Sequence, residues 1–278
     1  MKKSAFSFIL FFSLSFAAFA QPRVPRYVEF GGETVMLDTQ ERRERMDREF
    51  IAFSNMHTNS ILLLKRSPRY FAQIGPILRE YGIPDDLKYL CCIESTLDPK
   101  AMSSAGAAGL WQFTKAGART WGLEVSDEVD ERYDLEKATA AACRYLKKAH
   151  DMYGDWMTAA ASYNAGMAGI SKKLEDQKAD SAMDLWLAEE TWRYMYRLMA
   201  CKIFFKNPAA FGFNVPEEER YPYLAPSEAV TVSGPVESLV DFAISHGVTY
   251  AALKRANLWL RSDKLTNKGA RTYVILIP

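Results

Sequence analysis

A carboxylate stands in this chain where a helix would need an apolar residue, and little else limits the fold so tightly. From Ile83 to Phe113 the sequence reads IPDDLKYLCCIESTLDPKAMSSAGAAGLWQF. Pro84 has no N–H to lose at a helix start, and Asp85 and Asp86 suit the positive end of the helix dipole, so a helix is predicted from here. Leu87, Leu90 and Cys91 recur at helical spacing, and the next member of that stripe is Glu94. Pro99 is expected to stop the helix. Most helix carboxylates are solvated, so one reading has Glu94 turning to solvent or pairing with a cation. The other has it pointing inward at the helix's C-terminal end. Burial and the negative end of the dipole would then both disfavour its charged form and raise its pKa. A carboxylic acid still protonated near neutral pH is what a general acid must be.

Around this stretch the periodicity is mostly helical. Gln21 to Thr39 carries prolines and Gly31-Gly32 and is expected to be extended or loosely attached. An amphipathic helix is predicted from Glu41, with Met46, Phe50 and Phe53 on its apolar side, continuing to Lys65. Its ERRER run reads as a solvated face. Ser67 and Pro68 predict a second helix running to Tyr81, closed by Gly82. Ser103 to Gly109 is a small-residue loop that suits either close approach of a bulky polymer or helix packing. Leu110 to Phe113 is expected to start another helix that ends at Trp121-Gly122. The acidic loop Ser126 to Asp134 lacks calcium-loop spacing. Further helices are predicted over 135–153, 156–164, 181–187 and 190–205, then a proline-rich linker from Pro208 to Pro226. After it come a strand at 229–232, helices at 236–245 and 250–256, and a strand at 272–277.

The composition excludes some functions. There are 35 basic and 34 acidic residues, with no basic footprint for nucleic acid. Met1 to Ala20 reads as a cleaved secretory signal: Lys2 and Lys3, an apolar run from Phe6 to Phe16, and the Ala18-Phe19-Ala20 cleavage box. No cysteine lies near that point, so no lipid anchor is expected, and export to a periplasm is. Cys91, Cys92, Cys143 and Cys201 have no zinc-ligand spacing and read as buried small hydrophobes, with one disulfide left open. No metal or organic cofactor is expected.

Several residues have two readings from sequence alone. Gln112, polar between apolar neighbours, is a sugar-binding amide or a surface residue. Trp111 is a stacking platform or, the favoured reading, a core aromatic. Tyr163 and Asn164 end a helix, where they project into a cleft or pack with their polar atoms satisfied. Tyr194 lines a cleft or joins Trp192, Met195 and Tyr196 in packing, and Glu190 caps its helix or orients other groups.

Taken together, Glu94-Ser95, GAAGLWQF at 106–113 and SYNAG at 162–166 resemble the catalytic core of the lytic murein transglycosylases of the soluble-transglycosylase (goose-lysozyme-like) superfamily. LAEETWRY at 187–194 resembles the family's LPxETxxY pattern, with Ala188 in place of proline. The C-terminal β-α-α-β order resembles a LysM-type sugar-binding module, with Ser233-Gly234-Pro235 replacing the usual Gly-Asp-Ser/Thr turn.

The resemblance implies a mostly α, lysozyme-like transglycosylase domain with a small C-terminal α/β module. The corresponding division is a signal at 1–20, an extended segment at 21–40, the helical domain at 41–213, a linker at 214–228 and the module at 229–278. It implies cleavage of the MurNAc–GlcNAc bond with 1,6-anhydro ends and Glu94 as the single acid and base. Ser95 would support Glu94 or substrate, Gln112 and Asn164 would contact sugar, and Tyr163 and Tyr194 would line the cleft. The expected partners are peptidoglycan glycan strands and cell-wall assembly proteins, and the expected state is a monomer. Two rivals remain: a hydrolytic muramidase, which needs a further acid to activate water, and a catalytically silent wall-binding protein.

Overall fold

The computed structural model describes residues 22–278, so the leader read at 1–20 lies outside the described residues. The segment before the first helix is not loose. Strands β1 (Tyr27–Phe30) and β2 (Glu33–Met36) form an antiparallel hairpin that pairs Phe30 with Glu33. Gly31 and Gly32 make its two-residue turn, both at positive φ (65° and 87°), which a turn of matching twist requires. Val28, Phe30, Val35 and Leu37 then enter the main core.

Helix α1 (Gln40–Asn55) is capped by Thr39, whose side chain accepts from Arg42 N–H, and it buries Met46, Glu49, Phe50 and Phe53. The chain breaks at Met56, and α2 (His57–Glu80) runs straight through Pro68 and Pro76. The sequence predicts the break at Ser67-Pro68 instead. Proline there leaves the carbonyl of Leu64 without its usual donor. The Ser67 hydroxyl supplies one, donating to Leu64 O at 3.1 Å, and the helix continues.

A short 3-10 turn (Asp85–Lys88) leads into α3 (Tyr89–Ser95). That helix is ended by Thr96 and Leu97, both left-handed (φ 54° and 53°), and not by Pro99. Leu110 to Phe113 is not helical either: Gln112 sits at φ 50°, Ala108 bridges Phe113, and only α4 (Lys115–Thr120) follows. Helix α5 (Leu135–Tyr153) is capped by Asp134 and ended by Gly154 in the left-handed region. Helix α6 (Trp156–Ala165) is capped by Asp155, and its Trp156 to Ser162 are all buried, so it forms the central rod of the domain. Helix α7 (Met167–Gln177) has no counterpart in the sequence reading. The 181–187 stretch reads as a helix in sequence but has only one 3-10 turn, Ala182–Asp184.

Helix α8 (Glu189–Lys206) packs on α1, α3 and α6. Buried Glu49 of α1 accepts from Arg193 Nε at 2.7 Å and Arg197 Nε at 3.3 Å, two guanidiniums one turn apart on α8. The stretch predicted as a linker begins inside the core, with Phe211, Phe213 and Val215 buried. Phe211 packs edge-on to Phe50 and Phe204. All four cysteines are buried free thiols.

The C-terminal module keeps its predicted order: β3 (Glu228–Val232), α9 (Leu239–Ser245), α10 (Tyr250–Ala256) and β4 (Tyr273–Ile277), with β3 and β4 antiparallel. Buried Asn257 ties α10 to β4. Its amide donates to Leu253 O and Leu276 O, and its oxygen accepts from Leu276 N–H.

The acidic loop turns out to be the joint of the molecule. On one side it seats the module. Val129 enters the module core, Asp130 N–H donates to Trp259 O, Thr266 donates twice to Glu128, and Tyr273 OH donates to Glu124. On the other side, buried Arg132 pairs with Asp130 through both Nε and Nη2 (2.9 and 2.7 Å). Its remaining nitrogen, Nη1, donates to Gly106 O and Phe113 O, the two ends of the GAAGLWQF stretch. Gly109, at φ 77°, lies where a β-carbon would collide with the Arg132 carbonyl. Removing one partner of a buried pair strands the other charge, at a cost of about 3–5 kcal/mol. Arg132→Ala is therefore expected to lower unfolding free energy by about that amount in denaturant titration. An exposed control, Lys172→Ala, is expected to change it by less than about 0.5 kcal/mol.

Candidate active site

Glu94 closes α3, and the left-handed turn at Thr96 and Leu97 directs the chain away just beyond it. Its carboxyl meets α8: Tyr194 OH donates to Glu94 Oε1 at 2.7 Å. Burial raises the Glu94 pKa from the ordinary carboxylate range to about 7. The Tyr194 hydrogen bond opposes that rise, the charge of Glu190 adds to it, and Arg197 opposes it. Of the two sequence readings of Glu94, the structure has the inward one. Burial, with Glu94 adding to it, also pushes the phenol pKa values of Tyr163 and Tyr194 well up, so both rings stay neutral donors.

The other candidates fall on two hydrogen-bonded sides, linked to Glu94 through Tyr163 and through Glu190. On one, Trp111 is fully buried and donates from Nε1 to Thr139 Oγ1 at 2.9 Å, so it is a core aromatic. Its carbonyl accepts from Tyr163 OH at 2.8 Å, and the Tyr163 ring packs on Phe113 and Tyr145. Gln112 Nε2 donates to Gly109 O at 2.8 Å and to Ala101 O at 3.3 Å, holding its own loop together. On the other side, Asn164 ends α6 beside the start of α8. Thr191 Oγ1 donates to Asn164 Oδ1 at 2.9 Å, and Asn164 Nδ2 donates to Glu190 Oε1 at 3.4 Å. Ser95 lies beneath the site, buried, with its hydroxyl returned to Cys91 O one turn back.

Two contributors have no clear mark in the sequence. Arg132, which holds the GAAGLWQF stretch, sits in a loop whose excess of acids hides its one structural cation. Thr191, which fixes the amide orientation of Asn164, lies in EET, where the two glutamates draw attention first. The site has what acid catalysis needs: a carboxyl whose pKa is raised to about 7 and a phenol that donates to it and favours its ionised form.

Residues 77–185 match the transglycosylase SLT domain, which takes in Glu94, Gln112, Tyr163 and Asn164 and stops short of Tyr194. Residues 228–278 match the soluble lytic transglycosylase C-terminal LysM-like domain. The chain is 30% identical over 216 residues to membrane-bound lytic murein transglycosylase D of Escherichia coli K12, covering 76% of this chain and 47% of that protein. It is 36% identical over 119 residues to peptidoglycan transglycosylase gp16 of Escherichia phage T7, covering 41% of this chain and 9% of that one. The 70 kDa soluble lytic transglycosylase of Escherichia coli overlays with a TM-score of 0.43 at 16% identity, covering 68% of this chain and 34% of that one. The chain spans about half the length of the curated transglycosylase D that it matches. It carries a transglycosylase SLT domain, followed by a LysM-like domain of the kind that ends soluble lytic transglycosylases.

Proposed function

We propose that the chain is a peptidoglycan lytic transglycosylase. It cleaves the β-1,4 bond between MurNAc and GlcNAc and leaves a 1,6-anhydro-MurNAc end. The observation that carries this reading is Glu94: half-buried, hydrogen-bonded to Tyr194 at 2.7 Å, with a pKa raised to about 7. Protonated Glu94 gives its proton to the bridging oxygen as the bond to C1 breaks and GlcNAc leaves. The Tyr194 hydroxyl and the charge of Arg197 favour the carboxylate that results. That carboxylate takes the proton of the MurNAc C6 hydroxyl while the C6 oxygen attacks C1. Glu94 ends as it began, protonated, and water takes no part.

Gln112 and Asn164 contact the sugars, Tyr163 and Tyr194 line the cleft, and Ser95 seats the end of α3. The LysM-like module holds the same glycan. The hydrolytic alternative needs a second acid to activate water; Glu190 is the carboxylate whose charge reaches Glu94, and the product ends decide between the two. An exported location accords with this substrate. Among the described residues no helix is long and apolar enough to cross a membrane.

Mass spectrometry of fragments released from purified sacculi tests the reading. Anhydro-ended muropeptides are expected from the chain and none from Glu94→Gln. Reducing ends would turn the reaction to hydrolysis, and binding of sacculi with no release by either form would turn it to a silent binder. The rate is expected to fall as pH rises through about 7, because the acid deprotonates there. Tyr194→Phe removes a contact that lowers this pKa, so it is expected to move that limb to higher pH while reducing kcat about tenfold.

Stability follows the same proton. A pKa raised on folding favours the folded state at low pH, and that contribution is lost as pH rises from about 4.5 through about 7. The difference corresponds to about 3 kcal/mol as an upper bound. Glu94→Gln, which carries no charge, is expected to be more stable than the parent at pH 8 by up to that amount, and near-neutral at pH 4, in denaturant titrations.

A further inference from the structure

We propose that Trp186 is a sugar-stacking platform at the rim of the cleft, a glycan subsite beyond the scissile bond. The inference rests on the glycan-cleaving reading above and adds a place where the strand is held. Trp186 is 78% exposed, more than any other large apolar side chain among the described residues. Its exposure is built in. Leu185 and Ala188 have extended backbone, Leu185 and Leu187 are buried (1% and 6%), and Trp186 is turned outward between them. Any residue would satisfy that alternation, and a small polar one would do so without exposing an indole.

The backbone of Trp186 is also fixed. Its N–H donates to Gln177 Oε1 at 2.6 Å and its carbonyl accepts from Gln177 Nε2 at 3.1 Å, so one side chain at the end of α7 grips both groups. A large aromatic left bare on an anchored backbone is suited to a flat apolar ligand with polar edges. A pyranose ring has such a face.

The location selects the glycan. Four residues on is Glu190, which bonds Asn164 and adds its charge to the environment of Glu94. Four residues of extended chain reach at most about 13 Å. Trp186 therefore lies within that reach of the Glu190–Asn164 contact, with its backbone anchored to the end of α7. The ring it stacks on is farther along the strand than the one at the breaking bond. Its contribution should grow with chain length and appear in binding more than in chemistry.

The test uses the full chain as Glu94→Gln, labelled with 5-fluorotryptophan and titrated with β-1,4-linked N-acetylglucosamine oligomers. The Trp186 fluorine signal, assigned by its loss in Trp186→Phe, is expected to shift with the hexasaccharide and not with the disaccharide. Trp186→Ala is expected to weaken hexasaccharide binding about tenfold, with Trp186→Phe recovering most of it and melting temperatures unchanged. In the chain with Glu94 intact, Trp186→Ala is expected to raise KM on sacculi with kcat within about twofold. An unmoved Trp186 signal while the hexasaccharide binds, or equal affinities of the Trp186→Ala and parent proteins, would overturn the inference and leave the reaction standing. Neither binding nor cleavage of glycan by the chain with Trp186 in place would overturn the reading of the site, and the inference with it.

Discussion

The hydrogen bond from Tyr194 to Glu94 joins the two halves of the site, and its setting decides what the carboxyl can do. Burial alone would make ionisation of Glu94 costly enough to leave it inert. A full positive charge in contact would keep it ionised and remove it as an acid. A neutral phenol lies between these limits. It stabilises the carboxylate when one forms but supplies no charge of its own, so the two protonation states lie close in energy near neutral pH. The bond also fixes α3 against α8, so the geometry of the acid depends on how α8 itself is held. Glu49 does this from α1, gripping Arg193 and Arg197 on either side of Tyr194.

The second organising element is the loop at 124–134. Its acids seat the C-terminal module, and its arginine holds the GAAGLWQF stretch that forms one side of the site. One short segment thereby sets the position of both the candidate site and the C-terminal module. The arrangement explains a backbone that would otherwise be strained without cause. Gln112 at φ 50° and Gly109 at φ 77° are left-handed because the chain must curl around Arg132 and return to Phe113 within a few residues.

Much of this was legible from residue patterns, and the exceptions have physical causes. The Glu94 stripe, the helices over 135–153 and 156–164 and the β-α-α-β order are local signals, and local chemistry decides them. The failures fall where tertiary contacts override local preference. Pro68 reads as a helix start until Ser67 is seen to satisfy the carbonyl that proline abandons. Leu110 to Phe113 carries an apolar run that fits a helix, and only Arg132, distant in sequence, shows why it curls instead. Gln21 to Thr39 reads as extended or loosely attached; it is extended, and what the reading lacks is that Gly31-Gly32 between apolar runs make a tight hairpin turn. Arg132 and Trp186 left no local pattern: the first is one cation among acids, and the second one aromatic in a stretch that looked helical.

Several acidic groups are withdrawn from solvent, and the difference in their partners separates scaffold from chemistry. Glu49 is met by two guanidiniums, Asp130 by one in a two-point contact, and Glu131 by the ammonium of Lys137. Each is compensated where it lies, and removing its partner would cost folding energy with no gain in reactivity. Glu94 is met by a phenol, and the nearest charges act on it in opposite directions. A carboxyl withdrawn from water without a cation in contact is a poor structural choice, because its ionisation works against the fold above neutral pH. Asp134 also has a pKa raised by burial, but it is held as a helix cap by the Lys137 N–H, whereas Glu94 caps nothing and meets a side-chain donor. Glu94 lacks the direct cation partner that Glu49, Asp130 and Glu131 have, which accords with the acid role proposed for it.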